Sequence, residues 1–166
     1  MFHVSYLDAS AAVKLVLEEP GFENLRNYLH RRSGPRGGFH ITSLCFAESL
    51  GVLKRKRQRG EISDKQYRGK CYLLVAYCSR PARITLEDTG LENRETFMKA
   101  TQIASKHKVD LSDALQLLTV KYGKFRHLVA ESKTLLITAD RDLAAAAKAE
   151  GLRVWNCETE SMPPSQ

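Results

Sequence analysis

Hydrophobic and polar positions along this chain follow two periodicities, one typical of strands and one typical of helices. Positions 2 to 7 alternate from side to side as in a strand, and the helix-forming run Ala9–Leu17 follows directly after Asp8. The spacing predicts further helices at 22–32, 44–59, 64–79, 91–107, 111–122 and 140–150. It predicts further strands at 39–41, 83–86, 135–138 and 152–155. The strand at 135–138 is fully apolar, as are strands buried inside a parallel sheet.

The order of these elements predicts the fold class. Strands alternate with helices along the chain, which favours a three-layer α/β/α domain with a mostly parallel central sheet. We expect a single domain over residues 1–157 and a flexible C-terminal tail over 158–166. The helices at 44–59 and 64–79 would form a hairpin. Ligands of such sheets bind beyond the carboxyl ends of the strands, so functional side chains are expected there.

Composition narrows the class of protein. The 166 residues are 43% hydrophobic and 27% charged, which excludes a disordered chain, and no apolar stretch is long enough to cross a bilayer. The first residues show no signal peptide, so we expect a cytoplasmic protein. The four cysteines lack zinc-site spacing and are expected to be free thiols. A net charge of +7 is compatible with a polyanionic partner without identifying one.

Carboxylates follow two of the predicted strands. Asp8 comes directly after the first strand and Asp140 after the apolar strand, so both are expected at the carboxyl edge of the sheet. Each could simply cap the helix that follows it. Two acids at one edge repel each other, however, and their joint presence favours a bound cation.

Three more acids lie on helices. Glu48 has only uncharged residues three and four positions away, so no ion pair along its own helix explains it. Asp113 lies in the first turn of the helix at 111–122 and could be delivered to the same edge. The alternative is that Asp110 caps this helix and Asp113 complements its dipole.

Several carboxylates on a rigid edge suit a hard divalent cation. Mg²⁺ and Mn²⁺ prefer oxygen ligands, and such ions can activate water and neutralise charge on a phosphodiester. A haloacid-dehalogenase-like phosphatase is a weaker alternative, because that family needs a second Asp two residues after the first and this chain has Ser10 there.

Four segments of the chain resemble PIN-domain proteins, especially VapC-like toxins. They are VSYLDASAAVKL at 4–15 with EEP at 18–20, ITS at 41–43 leading to Glu48, LSDAL at 111–115, and LITADRDL at 136–143 with GLRV at 151–154. Their order and context agree over about residues 4–156. The chain departs from the pattern in LQLLTV at 115–120 and in a long link at 123–134, which could face a substrate, face a second subunit, or be an elaborated connection.

The resemblance implies a Rossmann-like PIN fold with a protruding helical hairpin and metal-dependent endoribonuclease activity. It places the catalytic and metal-binding roles on Asp8, Glu48, Asp113 and Asp140. Thr138 and Ser10 would support the pocket, and Asp142 would either be an outer acid or cap its helix. Asp110 matches no family position, so capping stands for it. The resemblance also implies Mg²⁺ or Mn²⁺, an RNA substrate, a cognate antitoxin and a homodimer.

Basic residues are concentrated on the predicted hairpin, directly after Glu48. The RNA-binding candidates are Lys54, Arg55, Lys56, Arg57 and Arg59. They could hold phosphates on either side of a scissile bond, or they could form an ordinary solvated surface. Tyr67 and Tyr72 could stack on unpaired bases or pack in the core. A catalytically inactive PIN-like RNA-binding module therefore remains an alternative.

Overall fold

A computed structural model of the chain describes residues 3–32, 37–79, 84–89 and 93–163. In chain order the elements are β1 (His3–Leu7), α1 (Ala9–Leu17), α2 (Phe22–Arg32), β2 (Gly37–Thr42), α3 (Ser43–Gln58), α4 (Asp64–Ser79), β3 (Thr85–Glu87), α5 (Arg94–His107), α6 (Leu111–Tyr122), α7 (Arg126–Val129), β4 (Thr134–Thr138), α8 (Arg141–Ala149) and β5 (Val154–Asn156).

The strands form one sheet in the order β3-β2-β1-β4-β5, and every neighbouring pair is parallel. The first strand of the chain therefore lies in the middle. Leu7 pairs with Ile137, so β1 and β4 end at the same edge, immediately before Asp8 and at Thr138. The predicted α/β/α fold class with a parallel sheet is confirmed.

Helices cover both faces of the sheet. One core contains Leu7, Ile41 and Ile137 and packs under α1 to α4. The other contains Val4, Tyr6 and Leu136 and packs under α6, α7 and α8. This alternation along each strand is the period-2 pattern of residues that point to opposite faces.

Several boundaries differ from the predicted ones. Strand β2 begins at Gly37 instead of position 39, because the two glycines expected in a loop pair with His3 and Val4 of β1. A Cβ atom at Gly38 would lie 2.6 Å from Nε2 of His40, so a glycine is needed there. The link predicted at 123–134 contains the short helix α7, whose four residues are too few for a periodic pattern.

Other differences are smaller. Helix α5 begins at Arg94 with Asn93 as its N-cap, whereas it was predicted from 91, and residues 91 and 92 lie outside the described part of the chain. Strand β3 is shifted to Thr85–Glu87, and position 83 of the predicted strand also lies outside the described residues. Strand β5 begins two residues later than predicted, at Val154.

Helix α3 packs one side against the core. Its fully buried residues are Cys45, Ser49 and Leu53, and Leu44 and Leu50 are partly buried. The buried stripe includes a serine because the hydroxyl of Ser49 donates to the carbonyl of Cys45 at 2.6 Å. Leu53 and Leu74 of α4 anchor the base of the hairpin in the core, and its tip is exposed.

Polar contacts hold the end of the domain in place. Glu150, the C-cap of α8, pairs with Lys106, His107 and Lys121, each at 2.7 Å. These contacts lower the pKa of Glu150 far below its usual range. Glu158 pairs with the buried Lys14 at 2.8 Å.

The bounds of the domain and of the tail stay a prediction. Within the described residues, no helix is long and apolar enough to cross a membrane.

Candidate active site

Asp8 lies 4% exposed at the carboxyl end of the central strand, and its two carboxylate oxygens have different surroundings. Oδ2 accepts hydrogen bonds from the Ser10 backbone N–H at 3.1 Å, the Ser10 hydroxyl at 2.7 Å and the Thr138 hydroxyl at 3.0 Å. Among the described residues, the hydrogen-bond partner of Oδ1 is the Cys45 thiol, at 3.9 Å. Asp8 therefore caps α1 with one oxygen and leaves the other available.

The two carboxylate oxygens of Asp140 also have different surroundings. Its Oδ1 accepts from the backbone N–H groups of Asp142 at 2.7 Å and Leu143 at 3.0 Å, which caps α8. The described residues place no hydrogen bond on Oδ2. The two interpretations left open by the sequence, cap and pocket acid, are thus compatible, because each needs only one oxygen.

The hydroxyls of Ser10 and Thr138 connect the two strand ends. Thr138 Oγ1 accepts from the Asp140 backbone N–H at 2.9 Å, and Ser10 Oγ accepts from the Ala139 N–H at 2.8 Å. Both hydroxyls also donate to Asp8. The network fixes Asp8 against the start of α8. Asp142 is exposed on the first turn of that helix.

Asp113 reaches the pocket from the first turn of α6. Burial raises its pKa to about 7, and the charges of Asp8, Asp140 and Glu48 add to the effect. The backbone N–H of Asp110 donates to the Asp113 carboxylate, as in a capping box. Asp110 occupies the N-cap position without a side-chain cap bond, so the prediction that its side chain caps the helix is wrong.

Glu48 comes from the middle of α3 and is half-buried. Burial raises the pKa of Glu48, as do the charges of Asp8, Asp110 and Asp140, while the charge of Arg55 acts in the opposite direction. Asp8, Glu48, Asp113 and Asp140 therefore influence one another from four separate segments. In the described part of the chain, none of them has an ion-pair partner within 4.0 Å.

The donor chemistry of this pocket suits a divalent cation. Four carboxylates, two of which keep a free oxygen, are hard oxygen ligands of the kind Mg²⁺ and Mn²⁺ prefer. Burial is the main cause of the raised pKa values of Glu48 and Asp113, and the charges of the neighbouring acids add to it, so a bound cation would favour the ionised carboxylates. Across residues 3–32, 37–79, 84–89 and 93–163, no three acidic, His or Cys side chains are already arranged as a metal cage.

A buried polar layer below Asp8 was missed by sequence reasoning. Gln116, 1% exposed, accepts through Oε1 from the Thr42 hydroxyl and the Cys45 thiol, both at 3.1 Å. Burial and the charge of Asp8 raise the pKa of Cys45 well above its usual range. A glutamine inside an apolar run, three residues after Asp113, is the signal that could have found this layer.

The basic residues of the hairpin differ in their ion pairs, although the sequence shows them as one continuous basic run. Lys56 binds Glu19 at 2.8 Å and Glu61 at 3.0 Å, and Arg57 binds Asp64. Arg59 lies 3.9 Å from Glu61. Three of the five predicted RNA-binding cations are thus paired within the protein. For Lys54 and Arg55 the described residues provide no ion pair.

The two hairpin tyrosines differ as well. Tyr67 packs against the core, and the guanidinium of Arg57 lies over its ring at 5.4 Å from the ring centroid. Tyr72 is 77% exposed. Only Tyr72 has the free ring face that base stacking requires.

A second buried network lies away from the acids. His40 pairs with Glu87 at 2.7 Å, and the Tyr6 hydroxyl donates to Glu87 at 3.0 Å. Burial opposes ionisation of Glu87, but these two partners keep its pKa below the usual value. Glu87 also lines a groove of about 710 Å³ between β3, α5 and the end of α6. None of the four pocket acids lines that groove.

Comparison with protein families gives one clear result. The family model described as PIN domain matches residues 5–149, a span that begins just before Asp8 and includes Asp140. Comparison with curated protein sequences gives no match.

Solved structures of low sequence identity share the fold. PAE2754 from Pyrobaculum aerophilum matches with a TM-score of 0.60 at 14% identity, over 92% of this chain and 83% of that one. VapBC2 from Rickettsia felis, bound to a DNA fragment from its promoter, gives 0.57 at 15%, over 92% and 97%. Mycobacterium tuberculosis VapC20, a Sarcin-Ricin loop cleaving toxin, gives 0.55 at 12%, over 86% and 94%.

Proposed function

Because the chain belongs to the PIN domain family, we propose that it is a metal-dependent endoribonuclease that cleaves single-stranded RNA and acts as the toxin of a type II toxin–antitoxin pair. PIN domains are generally nucleases. The observation that carries the proposal is the cluster of Asp8, Glu48, Asp113 and Asp140, none of which has an ion-pair partner in the described part of the chain. Burial, and then the charges of the other acids, raise the pKa values of Asp113 and Glu48.

The chain's own residues have distinct parts in this proposal. Asp8, Glu48, Asp113 and Asp140 would hold Mg²⁺ or Mn²⁺. Ser10 and Thr138 hold Asp8 in one orientation by engaging Oδ2, which directs Oδ1 to the pocket. When bound, the divalent cation would activate a water molecule and offset the charge that develops on the phosphodiester. The basic hairpin beside Glu48 would attract the RNA backbone.

The toxin assignment rests on the neighbours of the fold. Two of the similar structures are the VapBC2 complex and the toxin VapC20. We infer by analogy a cytoplasmic protein with a cognate antitoxin and a homodimeric state. Light scattering tests the last point, since a dimer has twice the 18.7 kDa mass of the chain. Growth arrest on expression in a bacterium, relieved by Asp8→Asn, tests the toxin assignment.

The nuclease itself is tested with a labelled single-stranded oligoribonucleotide. We expect cleavage with Mg²⁺ or Mn²⁺, none with EDTA, and loss of activity in Asp8→Asn and Asp113→Asn. Glu95→Gln, an exposed acid on α5, is the matched control and should cleave like the unmodified protein. Cleavage in EDTA, or full activity in either Asp variant while circular dichroism shows a normal fold, would refute the proposal.

A catalytically inactive RNA-binding module is the second candidate. The absence of a ready metal cage among the described residues favours it. Such a protein would bind RNA with a steep salt dependence and cleave nothing at any Mg²⁺ or Mn²⁺ concentration. The cleavage assay above separates the two candidates.

A further inference from the structure

Two cations of the basic run, Lys54 and Arg55, have no ion pair in the described part of the chain, and they lie on different sides of α3. Arg55 is seven residues after Glu48, which is close to two full turns, so it shares a helix face with the pocket acid. Lys54 is rotated by about a third of a turn from that face. Arg55 is therefore the unpaired cation that faces the pocket.

The absence of a side chain at Gly51 leaves space for the side chain of Arg55. A Cβ atom built at Gly51 would lie 3.7 Å from Nη1 of Arg55, and no other atom of the described residues beyond the adjacent residues and the helix's own backbone would come within 4 Å. The guanidinium thus folds back over Gly51 toward the N-terminal end of the helix, the direction in which long helical side chains lean. The charge of Arg55 is felt at Glu48, whose pKa it lowers against the effect of burial.

We propose that Arg55 binds a phosphate oxygen of the RNA next to the acidic pocket, and that Gly51 keeps the space through which its guanidinium reaches that phosphate. This inference rests on the proposed function. It assigns the substrate contact to one cation, because Lys56, Arg57 and Arg59 are engaged by Glu19, Asp64 and Glu61.

The repulsion between the pocket acids and a phosphodiester explains why a cation is needed beside the pocket. The pocket acids repel a phosphodiester, so a positive group at the rim must offset that repulsion for the backbone to approach. Guanidinium presents donors in a planar fork that matches two phosphate oxygens. Arg55 and Glu48 form no ion pair within 4.0 Å among the described contacts, so Arg55 can turn to a phosphate without breaking a bond inside the protein.

The test is a binding titration with a fluorescein-labelled single-stranded 20-nucleotide RNA in EDTA, read by anisotropy. We expect Arg55→Ala to weaken binding about tenfold or more, the loss of one charge-assisted contact. It should also reduce the slope of log K against log salt by about 0.7, the value for one phosphate contact on a single strand. Arg57→Ala removes the same charge from a residue already paired with Asp64, and should change affinity by less than about threefold.

Two substitutions at Gly51 test the position of the Arg55 side chain without changing the charge of the protein. Gly51→Ala places a methyl group at ordinary contact distance and should leave binding unchanged. Gly51→Leu occupies the space of the guanidinium and should weaken binding as much as Arg55→Ala does. Equal losses in Arg55→Ala and Arg57→Ala, or undiminished binding in Gly51→Leu, would overturn the proposal.

Cleavage kinetics separate this inference from the proposed function. With Mg²⁺ we expect Arg55→Ala to raise KM about tenfold while kcat changes less than about threefold. A fall in kcat at constant KM would mean that Arg55 acts on Glu48 and not on RNA, and would overturn it. If the unmodified protein cleaves nothing, the nuclease proposal fails, and the binding titration still decides the role of Arg55.

Discussion

Asp113→Asn should make the metal-free protein more stable at alkaline pH, because it removes a carboxylate that the pocket disfavours. Burial and three neighbouring acids raise the pKa of Asp113 from 3.8 to about 7. At about 1.4 kcal/mol per pKa unit this sets an upper bound of about 4 kcal/mol. The Asp113 side chain is partly exposed, so solvent screening reduces the expected effect to about 1–2 kcal/mol.

The direction of the pH dependence follows from the raised pKa. The folded state binds the Asp113 proton more tightly than the unfolded state, so the wild type loses stability as the pH rises from about 4 to about 7. Asparagine carries no charge and should escape this loss. The two proteins should therefore be equally stable at pH 4 and differ by the full amount at pH 8.

The assay is urea and thermal unfolding in EDTA at a series of pH values. At pH 8 the variant should melt about 2–8 °C above the wild type, from about 1–2 kcal/mol at about 2–4 °C per kcal/mol for a chain of this size. Asp142→Asn, an exposed acid on α8, is the matched control and should show no such gain. An Asp113→Asn protein that is no more stable at pH 8 than the wild type would refute the electrostatic reasoning.

Added metal should reverse the order. Mg²⁺ at a hundred times its Kd would stabilise the wild type by about 2.7 kcal/mol. The variant, which lacks one of the proposed ligands, should gain less. An equal gain in both proteins would show that Asp113 does not take part in holding the cation.

Two predictions concern the scaffold. Glu150→Gln should destabilise the protein by about 1–2 kcal/mol at pH 7, because three basic side chains lose their carboxylate. The lowered pKa of Glu150 means that its contribution is present above pH about 4 and is lost at lower pH. Urea titrations should show the gap closing below that pH, and a constant gap would contradict this assignment. Gly21→Ala should cost about 2 kcal/mol or more, because φ is +91° and the new Cβ would lie 2.6 Å from the Cys157 carbonyl oxygen. Gly151→Ala, with φ +76° but open space, should cost only about 1 kcal/mol, and equal melting temperatures for the two variants would exclude the crowding at Gly21.

The hydrophobic pattern of the sequence was sufficient to predict the strands and helices that surround the pocket. Asp8 and Asp140 follow strands whose apolar residues are recognisable locally, and parallel strands must end at one edge. The placement of these two acids could therefore be predicted without knowing the order of the sheet. Local periodicity also located α3, but it could not indicate that Ser49 is buried, because the hydrogen bond that makes this possible is not visible in the composition.

Contacts between distant segments could not be predicted in this way. The pairing of Lys56 with Glu19 joins helix α3 to the connection between α1 and α2, so local sequence could not show that Lys56 is paired. In the sequence, Gln116 is a polar residue within an apolar helix, and only the structure shows that it accepts a hydrogen bond from the Cys45 thiol. The network of His40 with Glu87 likewise depends on the pairing of β2 with β3, which no single segment specifies.

The central position of β1 has a consequence for the timing of synthesis. Strand β1 lacks its neighbour on one side until β4 has been made, more than 120 residues later. Asp140 and the Thr138 hydroxyl that orients Asp8 arrive with that same late segment. A nascent chain that ends before β4 therefore has an incomplete pocket. If the chain is the nuclease proposed above, this pocket cannot be complete before β4 and Asp140 have been synthesised.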